Sequence, residues 1–238
     1  MKIYSFYSPS HEILKHEFFL PSLYGQNEFE PVVIPIEQVG SVEKHAFGSR
    51  EFIDTMYFKI DIVIKAIQAN WGDTFVYSDI DVQFFKPMKQ SLLALLQDKD
   101  ILFQKNSVVN DACAGFFVCR ANQRVLQLWF SIKKWMHDKQ TCDQNALNVL
   151  LAKGTGKTNL LQKLFRGSPL KWGFLSDDFF CTGVQVSQIW EPGMPVSIPP
   201  GIIMHHANWT IGIDNKRSLL GYVREQVREQ KNSVILNR

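Results

Sequence analysis

The chain has 238 residues, 45% of them hydrophobic and 21% charged, enough for one large domain or two small ones with a true core. A net charge of +3 scattered along the chain argues against a nucleic-acid partner, and no apolar run approaches the roughly 18 residues of a membrane span. Cys113, Cys119, Cys142 and Cys181 form no C-x-x-C pair and the first residues are not a cleavable signal, so reduced, buried cysteines in a soluble, cytoplasmic protein are expected.

Residues 2–7 alternate as a first strand. Ser8-Pro9-Ser10 then starts a helix ending near Leu23, with Ser10 as its N-cap. Such a polar strand-to-helix loop is where α/β sheets accept nucleotides, although the dinucleotide glycine fingerprint is missing. Residues 31–36 read as a second strand and 38–49 as a loop holding His45. The strongest helix covers 50–70, with Phe52, Met56, Ile60, Val63 and Ile67 at helical spacing. Lys59 lies beside that stripe; taken alone, it reads as a solvated-face lysine rather than a cation aimed at a ligand.

Residues 74–86, TFVYSDIDVQFFK, carry apolar side chains on both parities and read as one strand buried on both faces. Its two carboxylates are costly there without a positive partner. The two-residue period points Asp79 and Asp81 the same way, roughly 6–7 Å apart. Beyond it come a short helix (88–97), a strand (100–104), a polar loop (106–111), a strand (114–120) and an amphipathic helix (123–136). Another helix (142–151) begins with Asp143-Gln144-Asn145. Residues 153–158, KGTGKT, imitate a phosphate-binding loop, but the frame puts Leu151 where the first glycine belongs and a helix where a strand is required. A surface loop is expected. Then follow a strand (171–175), a loop with Asp177-Asp178 and aromatic residues, a proline-rich stretch (192–200), an apolar strand running into His205-His206, and a charged helix (216–231).

Alternating strands and helices indicate a single α/β domain over 1–238, its central sheet mixed but mainly parallel and flanked by helices. Asp79 and Asp81 at the carboxyl end of a central strand occupy the edge where such sheets bind ligands. With a histidine from another strand end they suit an octahedral divalent ion, Mn²⁺ or Mg²⁺ rather than Zn²⁺. Adjacent residues of an extended segment face opposite ways, so only one of His205 and His206 can reach it.

The pieces YSDIDVQFF, AGFFVCRAN, CDQNALN and HHANWTIGIDNK, in that order after SHEILKHEFFLPSL, resemble the nucleotide-diphospho-sugar transferases of the GT-A fold, in particular glycosyltransferase family 77 and its relatives in family 8. The spacing from His206 to Gly212 and Lys216 departs from the family-8 pattern. The resemblance implies a GT-A-like, Rossmann-like sheet and transfer of a sugar from a nucleotide-diphosphate donor, a UDP-sugar, to an unknown acceptor with retention. It implies Asp79, Asp81 and His206 as metal ligands, with Asp79 also near the donor ribose. Ser8, Ser10 and His11 would border base and ribose, and Lys59, Asn208, Gly212 and Lys216 would hold the donor. Asp143 would bind the donor sugar, with Gln144 near the reacting carbon; Asp111, Asp177 and Asp178 are further acids for the acceptor side. A metal-dependent phosphohydrolase or an inactive sugar-nucleotide binder would share the acidic pair.

Overall fold

Strand β1 (Lys2–Tyr7) pairs in parallel with β2 (Glu30–Pro35) on one side and β3 (Thr74–Ser78) on the other. β6 (Ala112–Arg120) runs antiparallel between β3 and β5 (Ile101–Lys105), and β7 (Trp172–Phe174) adds parallel to β5. The order β2-β1-β3-β6-β5-β7 therefore contains one reversed strand, the mixed and mainly parallel sheet expected. This computed structural model describes residues 1–40, 48–106, 111–155, 169–181, 184–185 and 188–236.

Both faces of the sheet are covered. Phe75 and Tyr77 of β3 enter a core with helices α3 (Arg50–Ala69), α5 (Gln123–Lys139) and α6 (Asp143–Thr155), while Val76 faces a second core with Ile3, Phe116 and Val118. α3 forms where its stripe predicts: Met56, Ile60, Val63 and Ile67 are buried, and Ser49 Oγ caps it by accepting from Phe52 N at 3.1 Å. Asn122 caps α5 in the same way through Val125 N, at 3.0 Å. Helix α4 (Lys89–Leu96) closes the second core. Outermost lies α7 (Ile213–Leu236), whose Leu219, Leu220, Val223 and Val227 pack on Leu14, Phe18, Trp190 and Ile202.

The structure departs from the sequence reading in four places. Ser10 does not cap a helix: a 3-10 turn (Pro9–His11) follows extended Ser8 and leads through α1 (Glu12–Leu14) and a π-turn (Lys15–Phe19) into α2 (Leu20–Tyr24). The expected single strand over 74–86 is two strands in two sheets. β3 stops at Ser78, and β4 (Val82–Phe84) pairs antiparallel with β11 (Met204–His206). In between, Asp79 N donates to Gly115 O at 2.6 Å and Asp81 O accepts from Ala207 N at 3.0 Å, so the backbone passes from one ladder to the other at the two carboxylates. The aromatic stretch expected as loop supplies β8 (Phe179–Cys181), parallel to β11. A small hairpin, β9 (Val184–Gln185) with β10 (Gln188–Ile189), was also not anticipated.

Residues 153–155 of the KGTGKT stretch end α6, while 156–158 lie outside the described residues, as does His45. All four cysteines are buried and free. No helix among the described residues is long and apolar enough to cross a membrane.

Candidate active site

The corner between β3 and β4 carries both Asp79 and Asp81. Their carboxylates and the His206 imidazole each place one potential ligand atom within 4.8 Å of the others. His206 arrives because β11 lies antiparallel to β4, its last residue opposite Val82. Its Nε2 is 3.3 Å from Asp81 Oδ1, and Lys216 of α7 closes tightly on Asp81 Oδ2. Lys59 reaches out of α3 to Asp79 Oδ1 at 3.1 Å and to Asp143 Oδ2, at the start of α6, at 2.9 Å. The Tyr77 hydroxyl donates to Asp79 Oδ1 at 2.9 Å. Gly115 of β6 backs the cluster so closely that a Cβ there would sit 2.6 Å from Asp79 Oδ2.

The charges fall into two groups. Burial would raise the Asp81 pKa, but Lys216 and His206 hold it well below the usual carboxylate range. Burial would keep His206 neutral, yet facing Asp81 it is pushed up to about 10. Around Asp79 burial wins over the pull of Lys59 and His206, and its carboxyl is raised. Lys59, desolvated but flanked by Asp143 and Asp79, is raised and stays charged. His205 is different: fully buried, with its ring tilted against that of Phe180, it is lowered by that burial to about 3 and is neutral.

The cluster lines a cavity of about 370 Å³ at the carboxyl ends of β1 and β3. Ser8, His11, Lys59, Asp79, Asp81, Asp143, Gln144, His206, Asn208, Gly212 and Lys216, all singled out from the sequence, form its wall. Ser10 does not line it; its hydroxyl lies 3.0 Å from both Ser8 Oγ and His11 Nδ1, behind the wall. Asp111, Asp177 and Asp178 are also absent from the wall. Lys59 is no solvated-face lysine: at 2% exposure it is a buried counter-ion for two carboxylates. Asn208 is 8% exposed, and neither polar atom of its side chain has a hydrogen-bond partner, rare for a buried amide.

Tyr77, Gln104, Cys113 and Gly115 were not foreseen here. Tyr77 and Gly115 sit inside apolar strand runs that look like core. Gln104 left a signal, an amide at the end of a buried strand, where a polar group needs a reason. Its Oε1 lies 2.9 Å from His206 Nδ1 and accepts from it. Trp209 lines the cavity with φ of 61°, a left-handed conformation uncommon for a bulky aromatic residue.

No curated protein sequence matches the chain. Solved structures share its fold. A glycosyltransferase involved in the glycosylation of the major capsid of PBCV-1 superposes with a TM-score of 0.55, over 91% of this chain and 96% of its own, at 11% identity. The glycosyltransferase GlyE of Streptococcus pneumoniae TIGR4 gives a TM-score of 0.50 over 90% of this chain and 56% of its own, at 13% identity. The family model for nucleotide-diphospho-sugar transferases matches residues 27–220, a span that includes Lys59, Asp79, Asp81, Asp143, His206 and Lys216, and the chain belongs to that family.

Proposed function

We propose that this protein transfers a sugar from a UDP-sugar to an acceptor hydroxyl with retention of anomeric configuration, using a divalent cation, Mn²⁺ or Mg²⁺, held by Asp79, Asp81 and His206. The observation that carries the reading is the convergence of those three side chains in the wall of a 370 Å³ cavity that also holds two lysines. Two carboxylates and one imidazole form a hard donor set suited to such ions, and Gly115 leaves the cluster uncrowded. When bound, the cation stabilises charge on the departing diphosphate.

The chain's own groups do the rest. Lys216, already beside Asp81, adds fixed positive charge where the phosphates lie, with Gly212 shaping the turn that precedes its helix. Ser8 and His11 border the base and ribose, with Ser10 bracing both from behind. Asn208 offers an unpaired donor and acceptor to the donor molecule, regaining hydrogen bonds that are worth about 1–3 kcal/mol when left unmade. Asp143, oriented by Lys59, accepts from a sugar hydroxyl. Gln144 is an amide and a poor nucleophile, so the acceptor oxygen attacks on the face the phosphate leaves: the new C–O bond forms as the bond to the diphosphate breaks, the hydroxyl proton passes to the departing phosphate oxygen, and Gln144 only stabilises charge at the anomeric carbon.

Thermal unfolding tests donor and cation together. A ligand at 100 times its Kd adds about 2.7 kcal/mol, which at about 2–4 °C per kcal/mol for a chain of this size is roughly 5–10 °C. UDP with Mn²⁺ is expected to give that rise, UDP with chelator far less, and ATP with Mg²⁺ little. A UDP shift indifferent to chelator would place the nucleotide elsewhere. NMR of the product anomer tests retention, and an inverted centre would overturn it.

A further inference from the structure

We propose that Gln104 is a positioning residue for the cation site. Its amide, anchored on backbone carbonyls of β8, holds His206 with Nδ1 protonated and Nε2 turned toward the Asp79–Asp81 pair. Gln104 is fully buried on the face of β5 that carries Leu102, the face against which β8 and β11 pack. Its Nε2 lies 2.9 Å from Phe179 O and 3.1 Å from Phe180 O. A carbonyl oxygen only accepts, so the amide nitrogen has to face this pair; the flipped amide would set oxygen against two oxygens. That leaves Oε1 toward His206, 2.9 Å from Nδ1, and an oxygen there requires Nδ1 to carry the proton. Cys113 Sγ, at 3.8 Å, is the other group near Nδ1 and is a far weaker partner. With Nδ1 so engaged, Nε2 is the nitrogen presented to Asp81 Oδ1, at 3.3 Å.

The fold explains why β5 can supply this group. The pairing of β5 with β6 slips between Phe103 and Gln104: Phe103 is opposite Phe117, but Gln104 is opposite Cys113. β6 thus spends Ala114, Gly115 and Phe116 on an excursion beside the site, and such irregularities re-aim side chains next to functional centres. Histidines that bind metals are commonly oriented through their second nitrogen, and removing the orienting partner costs roughly 10–100-fold in metal affinity.

The inference rests on the cation site proposed above, and its test separates the two. Mn²⁺ binding is measured by titration calorimetry on the full chain and on Gln104→Met, Gln104→Glu, Leu102→Ala and Asp81→Asn. Gln104→Met keeps the volume and removes the acceptor; it is expected to weaken Mn²⁺ about 10–100-fold. Gln104→Glu keeps an oxygen at Nδ1–H but sets its second oxygen against Phe179 O and Phe180 O, so it is expected to recover only part of that loss. Leu102→Ala loosens the same face without touching His206, so it should lower the melting temperature and leave Mn²⁺ affinity unchanged. In parallel, ¹H–¹⁵N NMR of the ring, assigned through His206→Ala, should show a protected Nδ1–H signal in the unsubstituted chain that Gln104→Met loses, without cation and with diamagnetic Mg²⁺. Gln104→Met binding Mn²⁺ as tightly as the unsubstituted chain, or losing no more than Leu102→Ala loses, overturns the proposal. If the unsubstituted chain binds no Mn²⁺ that Asp81→Asn abolishes, the cation reading falls; an Nδ1–H signal unmoved by Gln104→Met would then overturn the positioning role independently.

Discussion

At the amino end of β5, Asp100 is 2% exposed and accepts four hydrogen bonds: from Asn122 Nδ2 at 2.8 Å, from Arg124 at 2.5 and 2.8 Å, and from Lys171 N at 2.8 Å. At the carboxyl ends of β1 and β3, the opposite edge of the sheet, Asp79, Asp81 and Asp143 share Lys59, Lys216 and His206 around a cavity. Both are buried acidic centres, but they are finished differently. Both Asp100 oxygens are occupied by donors from three residues, one of them a main-chain N–H. Asp81 is balanced by Lys216 and by a proton on His206, and both partners can leave. Lys216 is 19% exposed on the last helix and can turn to water, and His206 can give up its proton. A centre closed by backbone and paired amides holds the fold together. One closed by removable charges beside a cavity is ready to exchange them for a ligand.

Substitution at each centre should therefore break different things. The largest effect is expected from Asp81→Asn, which removes a cation ligand that an amide cannot replace; transfer activity should fall by roughly 10³-fold or more. The chain should still fold, because the two cations around that carboxylate have other states open to them. Activity normalised to folded protein checks this, and near-normal turnover with Mn²⁺ present would remove Asp81 from the site. Next in size is Asp100→Asn. The new amide turns a donor toward Arg124 or Lys171 N, leaving buried donors unpaired at a cost of about 2–3 kcal/mol, or roughly 5–10 °C in melting temperature. Urea unfolding should show that loss while turnover per folded molecule stays the same. A drop in turnover would mean the two edges of the sheet are coupled.

The sequence made much of this legible, for physical reasons that also explain the failures. Periodicity located α3 because burial is written into every third or fourth residue, and a continuous apolar run located β3. The acidic pair stood out because carboxylates inside an apolar run are expensive. The break at Asp79–Asp81 left no such mark: Val82 and Phe84 are as apolar in β4 as they would be in a prolonged β3, and the switch of ladder depends on partners from β6 and β11. β8 was read as loop because three residues between turn-forming Asp178 and the next polar stretch are too few for a period to show. Lys59 taken alone reads either way, because a helix position beside an apolar stripe is equally consistent with water or with a carboxylate above it. Only the fold brings Asp79 and Asp143 to it.

The smallest effect should be the clearest discriminator, because Asp100 and Asp79 are shifted in opposite directions. Burial would raise Asp100, but the donors of Arg124, Lys171 and Asn122 lower its pKa in the folded chain. An acid lowered on folding contributes stability that is present above its unfolded pKa of about 3.9 and is lost as pH falls through the folded value. Asp79 is raised, so its contribution is present below about pH 4 and is lost as pH rises through its folded value. In chelator, melting temperatures of Asp79→Asn and Asp100→Asn are compared with the unsubstituted chain from pH 7 down to pH 3. The deficit of Asp100→Asn should be steady at neutral pH and shrink below about pH 4. Asp79→Asn should move the other way, comparing best with the unsubstituted chain at neutral pH and losing ground on acidification, by a few degrees at about 2–4 °C per kcal/mol. Parallel curves for the two variants would mean that both carboxylates are held alike, and that the contrast between a closed centre and an exchangeable one is wrong.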